Sequence, residues 1–393
     1  MQLGIIGVVI LAISVFSIYG IYKVSSDNIV EVANKDVGKN VEIYKEVAEK
    51  LEEKKQEEIE TVKDKIEEEN KNIDDNKTNT NTRSGMKITA LGEIMLGARD
   101  YMNNSYALAF KEISSMLQDS DYVVSSLATN ITSVEDLSDT KTKYIVNESI
   151  TNAFSALNLN ALNVATDHML DFSQNMFNTT IDTLRKNDID VIGLENDIAY
   201  AECNGIRVAF IGVNNVIIGN AKKYIDTGMF IYDMGKVKSI ISDAKTKADL
   251  VVVMTHYGKE NAHEVTDVMR WFAREIVNSG ADMVLGGHSL GIYPIEEYNG
   301  KLIIYSLGYL VHDTNNEQGK KSAIFDINID ENGMIDSLEI TPTYIENKST
   351  VKLYKDIDLN KSNAFLNELN TKSSLEKYSS SIENDKLVVK LIK

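Results

Sequence analysis

The sequence predicts an α/β fold, and three patterns carry that prediction. From Met86 onward, short β-prone runs alternate with segments of helical period. Three of the runs end abruptly in histidine: Leu162-Asn-Val-Ala-Thr-Asp-His168, Leu250-Val-Val-Val-Met-Thr-His256 and Met283-Val-Leu-Gly-Gly-His288. Composition is that of a globular chain, 43% hydrophobic and 25% charged, which supplies enough apolar surface for a core.

The chain reads in five zones. Residues 3–22 form an uncharged apolar stretch close to the ~20 residues that a bilayer core demands. A cleaved signal peptide would want a basic start and a small-x-small site. Only Met1 and Gln2 precede the apolar run, so residues 1–24 read as an uncleaved transmembrane anchor. Lys23, Lys35 and Lys39 are mixed with acids, which leaves orientation weakly determined. Residues 25–72 are rich in Glu, Lys and Val. Val41, Tyr44, Ala48, Leu51, Lys55, Ile59, Val62 and Ile66 fall at spacings of three and four, the stripe of a helical stalk or a coiled coil. Such a coiled coil would join copies of the chain through residues 28–72. Residues 73–85 are polar and unpatterned, hence a flexible linker.

The α/β domain is expected over 86–345, with a polar extension over 346–393. Strand-like runs fall at 87–91, 121–127, 161–165, 189–193, 206–213, 249–255, 281–286 and 302–306. Helical patterns lie near 105–118, 148–157, 174–186, 234–247 and 264–279, with one more helix at 362–377. Residues 323–329 and 336–342 read as a hairpin around Asp330-Glu-Asn-Gly333.

Net charge is −18, with no basic stripe to neutralise phosphates, which argues against nucleic acid. Cys203 is the sole cysteine, so no disulfide forms within the chain. Strand ends in open α/β sheets are where ligands gather, so three strands ending in His168, His256 and His288 imply one convergent site. Convergent imidazoles point to a metal. His263 reads as a surface loop residue and His312 as structural, and Arg99 and Asp100 read as an ordinary surface pair.

Six segments taken together carry a resemblance. They are Gly92-Glu-Ile-Met-Leu-Gly97, Ala165-Thr-Asp-His-Met-Leu-Asp-Phe172, His256-Tyr-Gly-Lys-Glu260, Gly280-Ala-Asp-Met-Val-Leu-Gly-Gly-His288, Tyr293-Pro-Ile-Glu296 and Tyr305-Ser-Leu-Gly-Tyr-Leu-Val-His-Asp313. In order and spacing, over about residues 86–315, the chain resembles the poly-γ-glutamate capsule biosynthesis (CapA-like) family. That family is related to the calcineurin-like metallophosphoesterases. The resemblance implies a metallophosphoesterase-like α/β sandwich whose loops hold one or two divalent ions, Mn, Zn or Fe. It implies Glu93, Asp167, His168, His256 and His288 as metal ligands, with His256 and His288 also catalytic. Glu260 and Asp171 are then partners that orient the histidines, although Asp171 also reads as the cap of the helix that follows.

The family's pattern is incomplete here. Glu93 stands where Asp is usual, and Asp167 where Asn is usual. Ser126-Leu-Ala128 replaces Asn-Leu-Glu, and Leu290 replaces a second imidazole. An aliphatic side chain coordinates nothing and disfavours a nearby cation. The expected role is therefore a membrane-anchored subunit, its domain outside the cell, in making, exporting or attaching poly-γ-glutamate or a similar anionic polymer. Polymer-synthase subunits would be its partners. The alternatives are a metal-dependent hydrolase of a phosphoester or amide, and a non-catalytic surface scaffold assembled through its stalk.

Overall fold

The computed structural model describes residues 84–97, 106–133, 144–195, 197–216, 228–260, 262, 264–347 and 350–392. The first strands are β1 (Met86–Leu91), β2 (Glu93–Met95), β3 (Tyr122–Ser126), β4 (Asn130–Thr132) and β5 (Ile145–Asn147). Helix α1 (Ile150–Ala156), β6 (Leu159–Asn163), α2 (Gln174–Lys186) and β7 (Asp190–Ile192) follow. The middle runs β8 (Ala199–Cys203), β9 (Ile206–Asn214), α3 (Met234–Lys245), β10 (Leu250–His256), α4 (Asp267–Asn278) and β11 (Met283–Gly287). Then come β12 (Ile295–Tyr298), β13 (Lys301–Ile304), β14 (Tyr309–His312), β15 (Lys321–Ile329) and β16 (Ile335–Glu346). The chain closes with β17 (Thr350–Leu353), α5 (Tyr354–Lys372), β18 (Tyr378–Glu383) and β19 (Lys386–Leu391).

Among the described residues two large mixed sheets result, beside the two-stranded pairs β14-β2 and β4-β5. One has the order β18-β19-β16-β15-β1-β3-β6-β7, with β17 beside β16, and the other β12-β13-β11-β10-β9-β8. Four neighbouring strands of each run parallel: β1-β3-β6-β7 in the first and β9-β10-β11-β13 in the second. Parallel strands covered on both faces must be apolar throughout, and β10 (Leu-Val-Val-Val-Met-Thr-His) is buried at every position.

Alternation sorts the side chains into layers. Ile88 and Val124 of the first sheet join Val208, Phe210, Val252 and Leu285 of the second in one core between the sheets. The outer face of the first sheet packs on α1 and α2 through Phe154, Phe177 and Leu184. The outer face of the second packs on α3 and α4 through Val237, Ile241, Phe272 and Ile276. The mixed α/β class is therefore as expected, in four layers.

Several expectations change. The segment at 105–118 forms short 3-10 turns, Tyr106–Phe110 and Ser114–Leu117, rather than an α-helix. The C-terminal segment is part of the domain. β19 pairs with β16, and Phe365, Leu366, Leu369, Leu387 and Val389 enter the core between the sheets.

The single-pass membrane localisation is also corrected. Among the described residues no helix is long and apolar enough to cross a membrane. The longest, α5, carries Lys355, Asp356, Asp358, Lys361, Glu368 and Lys372, charges that a bilayer core would strip of water. The expected anchor, the stalk with its coiled coil, the linker up to residue 83, the Arg99–Asp100 pair and His263 lie outside the described residues.

Candidate metal centre

The site forms at the C-terminal edges of parallel strands from both sheets. His256 ends β10, and His288 follows β11 by one residue. Asp167 and His168 come from the loop after β6. Glu93 opens β2, which reaches the edge because Gly92 admits close backbone approach. A Cβ at Gly92 would lie 2.6 Å from the amide nitrogen of Leu310. Asn163, at the end of β6, braces the neighbouring loops: its amide donates to Ser126 at 3.3 Å, and its carbonyl accepts from the Ala165 N–H at 3.1 Å.

At the centre, His256 lies between two carboxylates. Its Nε2 is 2.9 Å from Asp167 Oδ1, and its Nδ1 is 3.0 Å from Glu93 Oε2. All three are buried. Burial alone would discharge the imidazole, but Glu93 and Asp167 outweigh it and raise His256 to about 10. Burial likewise opposes ionisation of Asp167, yet His256, with His168 and His288, holds its carboxyl well below the usual range.

His288 takes a positive φ of 77°, a conformation that costs a non-glycine residue and is held here by its surroundings. Its carbonyl accepts from the Tyr309 hydroxyl at 3.2 Å. Its Nδ1 is 3.8 Å from Asp167 Oδ2. Burial, then the charge on His256, pushes His288 down to about 3, so the imidazole stays neutral and keeps a lone pair to offer. His168 is oriented through Nδ1, 2.7 Å from Asp171 Oδ2, and its Nε2 is 3.9 Å from Asp167 Oδ2. Burial opposes charging of His168, but Asp171 and Asp167 prevail and raise its pKa.

These groups fit a cation. Ligand atoms of Asp167, His256 and His288 lie within 4.8 Å of one another, and all three residues are buried. Asp167 Oδ2 and both Glu93 oxygens are buried without a hydrogen-bond partner; the Glu93–His256 contact is close but lacks hydrogen-bond alignment. Buried carboxylate oxygens left this way need a partner, and a metal ion supplies one. A second cation finds less. Ser126 offers a hydroxyl engaged by Asn163. Leu290 packs with Met95, Ala128, Tyr309 and Ile345 in a small apolar cluster.

Three of the five expected ligands, Asp167, His256 and His288, thus lie close enough to share an ion, with Glu93 against His256, His168 3.9 Å from Asp167 and Asp171 beside His168. Glu260 does not orient His256, whose two nitrogens face Glu93 and Asp167; its charge instead bears on Tyr144 and Tyr309. Asp171 is not the helix cap either, since Ser173 accepts from Met176 N–H and caps α2. Tyr144 escaped the sequence reading. Its ring lies 4.5 Å from that of His168, on backbone with a positive φ of 60°, and no motif or spacing marked it. His312 is buried against Tyr309, ring centroids 4.6 Å apart.

The family described as bacterial capsule synthesis protein PGA_cap matches residues 87–314, more than half of the chain. The chain belongs to this family. Among curated PGA_cap-like relatives it is 27% identical over 293 residues to the PGA biosynthesis protein CapA of Bacillus subtilis (strain 168), covering 71% of this chain and 77% of that one. It is also 27% identical over 328 residues to the capsule biosynthesis protein CapA of Bacillus anthracis, covering 78% of each. Among solved structures it is similar to a 5'-nucleotidase precursor from Thermus thermophilus, with TM-score 0.43 and 11% identity over 73% of this chain and 60% of that one.

Proposed function

We propose that this PGA_cap domain serves the synthesis, export or attachment of poly-γ-glutamate or a similar anionic polymer, through a site built for one divalent cation. Family membership supports the polymer. The observation that carries the one-cation reading is the apolar cluster around Leu290, which fills the place where a second imidazole would have to stand. Asp167, His256 and His288 would hold the ion, His256 once it has given up the proton that its carboxylates favour, with Glu93 and its unpartnered oxygens beside it. A divalent ion bound there supplies Lewis acidity toward a carbonyl or phosphoryl oxygen. The chain's own groups do the rest. Glu93 sits 3.0 Å from His256 Nδ1 as its charge partner, and Asp171 turns His168 so that its Nε2 points toward Asp167 and can hold a proton there.

The second reading, a metal-dependent hydrolase of a phosphoester or amide, is favoured by that His168–Asp171 pair, the arrangement of an oriented general acid. Metal analysis separates the two. Purified protein is exposed to Mn, Zn or Fe, desalted, and compared with Asp167→Ala. One equivalent bound and lost in the variant is expected. Two equivalents together with turnover of a generic phosphoester would move the hydrolase reading to the front. No bound metal would overturn the cation site.

A further inference from the structure

Away from the metal centre, a cleft of about 250 Å³ opens between α4, the start of β12 and the end of α5. Glu264, Arg270, Glu296, Tyr305 and Lys372 line it. Glu296 is buried and already satisfied: Arg274 donates to Oε1 through Nε at 3.0 Å and through Nη2, and the Tyr305 hydroxyl donates to Oε2. Arg270, one turn before Arg274 on the same face of α4, reaches that carboxylate only at 3.6 Å. Its guanidinium is therefore held in place by charge while its N–H donors stay available for another acceptor.

Two guanidiniums on one carboxylate leave one positive charge in excess. Lys372 adds a second cation, at present turned to Glu368 at 2.6 Å, and Glu264 supplies an anion from the loop leading into α4. The cleft thus offers both signs of charge. Its volume falls below the roughly 300–1,000 Å³ of pockets for larger ligands, which limits the occupant to about one small unit. Tyr257, next to His256 and buried, has its hydroxyl pKa pushed up by burial first and then by Tyr305 and Glu296.

A net charge of −18 is hostile to a protein that must track a polyanion along its length. Recognition of one end needs only a local match. We propose that this cleft binds the amino-terminal unit of a γ-linked glutamate chain, its α-carboxylate on Arg270 and Lys372 and its free ammonium on Glu264. The assignment rests on the polymer reading above. Only the first unit of such a chain has a free α-ammonium, because every later nitrogen is acylated, so the charge pattern selects an end.

The test is calorimetric titration of the full chain at low ionic strength. The probes are a short γ-linked glutamate oligomer, the same oligomer N-acetylated, and free glutamate. Arg270→Gln is expected to weaken oligomer binding about tenfold, the scale of one lost charge-assisted hydrogen bond. Glu264→Gln is expected to weaken the free-amine oligomer by a similar factor and to leave the weaker acetylated one unchanged. Both positions are at least partly exposed, and melting temperatures would confirm folding. Equal binding of both oligomers, unmoved by Arg270→Gln, would overturn the end-binding cleft while leaving the polymer reading standing. Arg270-dependent binding of free glutamate with no binding of either oligomer would keep the cleft and sink the polymer. No binding of any probe would overturn the cleft, and the metal analysis would still judge the metal centre.

Discussion

Leu290 shows how one residue decides what a site can hold. It sits two positions after His288, is 5% exposed, and packs against Met95, Ala128, Tyr309 and Ile345. A side chain so placed belongs to the core, and removing most of it leaves a cavity. Leu290→Ala is expected to lower unfolding stability by about 2–4 kcal/mol in urea titrations while leaving bound metal unchanged. Loss of metal with little loss of stability would mean that the cluster serves the cation and not the packing. His288 makes the complementary point. Its positive φ turns the imidazole toward Asp167, and strain of that kind persists only where neighbours such as Tyr309 over-determine it.

Elements bring those residues together, and two joints between elements are testable. Where β9 passes the ends of β6 and β7, the sheets touch through glycine. A Cβ at Gly212 would lie 2.1 Å from Asn163 Oδ1 and 2.7 Å from the Cα of Gly193. Gly212→Ala must therefore move backbone, and is expected to lower stability by more than about 2 kcal/mol, read by thermal melting. It should also displace Asn163 and loosen Ser126 beside the site.

The second joint is Asp282, just before β11. It accepts from Lys245 of α3 and Lys301 of β13 at 2.7 Å each, and from the Val251 N–H of β10 at 2.9 Å. Burial opposes its ionisation, yet these donors prevail and lower its pKa below the ordinary 3.8. The folded carboxyl therefore keeps its charge to lower pH than the unfolded one. Its stabilisation is full above the unfolded value and is lost as pH falls through the folded one. Asp282→Asn is expected to cost about 1–2 kcal/mol near neutral pH, discounted for the partly exposed lysines. The gap to the parent chain should close progressively below pH 3.8. A gap that stayed constant across that range would assign the effect to packing.

Across the whole molecule, the C-terminal segment completes the larger sheet. β16 is flanked by β15 on one side and by β17 and β19 on the other, and α5 covers the core with Phe365, Leu366 and Leu369. A chain ended at residue 345 would expose Leu338 and Ile340 along an unpaired β16 edge, an invitation to strand pairing between copies. Such a chain is expected to aggregate on size-exclusion chromatography, whereas an independent tail would leave a monodisperse domain.

Local chemistry was enough to read the parallel strands. Runs such as Leu250–His256 are apolar throughout because both faces are covered, and a histidine ending such a run stands at a sheet edge whatever surrounds it. Periodicity likewise placed α2, which spans 174–186 as expected, although its cap is Ser173. The short strands β2, β5 and β14 were illegible, because two or three hydrogen bonds to a distant partner leave no periodic trace. The polar look of 346–393 hid β19 and the start of α5, whose helix was expected only from 362, for a related reason: their buried residues are sparse and meet β16 only after the chain has turned back. What tertiary structure alone decided is the wiring of the site. That Asp167 faces His256, that Asp171 turns to His168 and leaves the α2 cap to Ser173, and that Leu290 fills a gap are contacts between residues far apart in sequence or free to turn either way. Residue types and spacing specify which groups reach an edge, but only the packing of the two sheets specifies which of them meet.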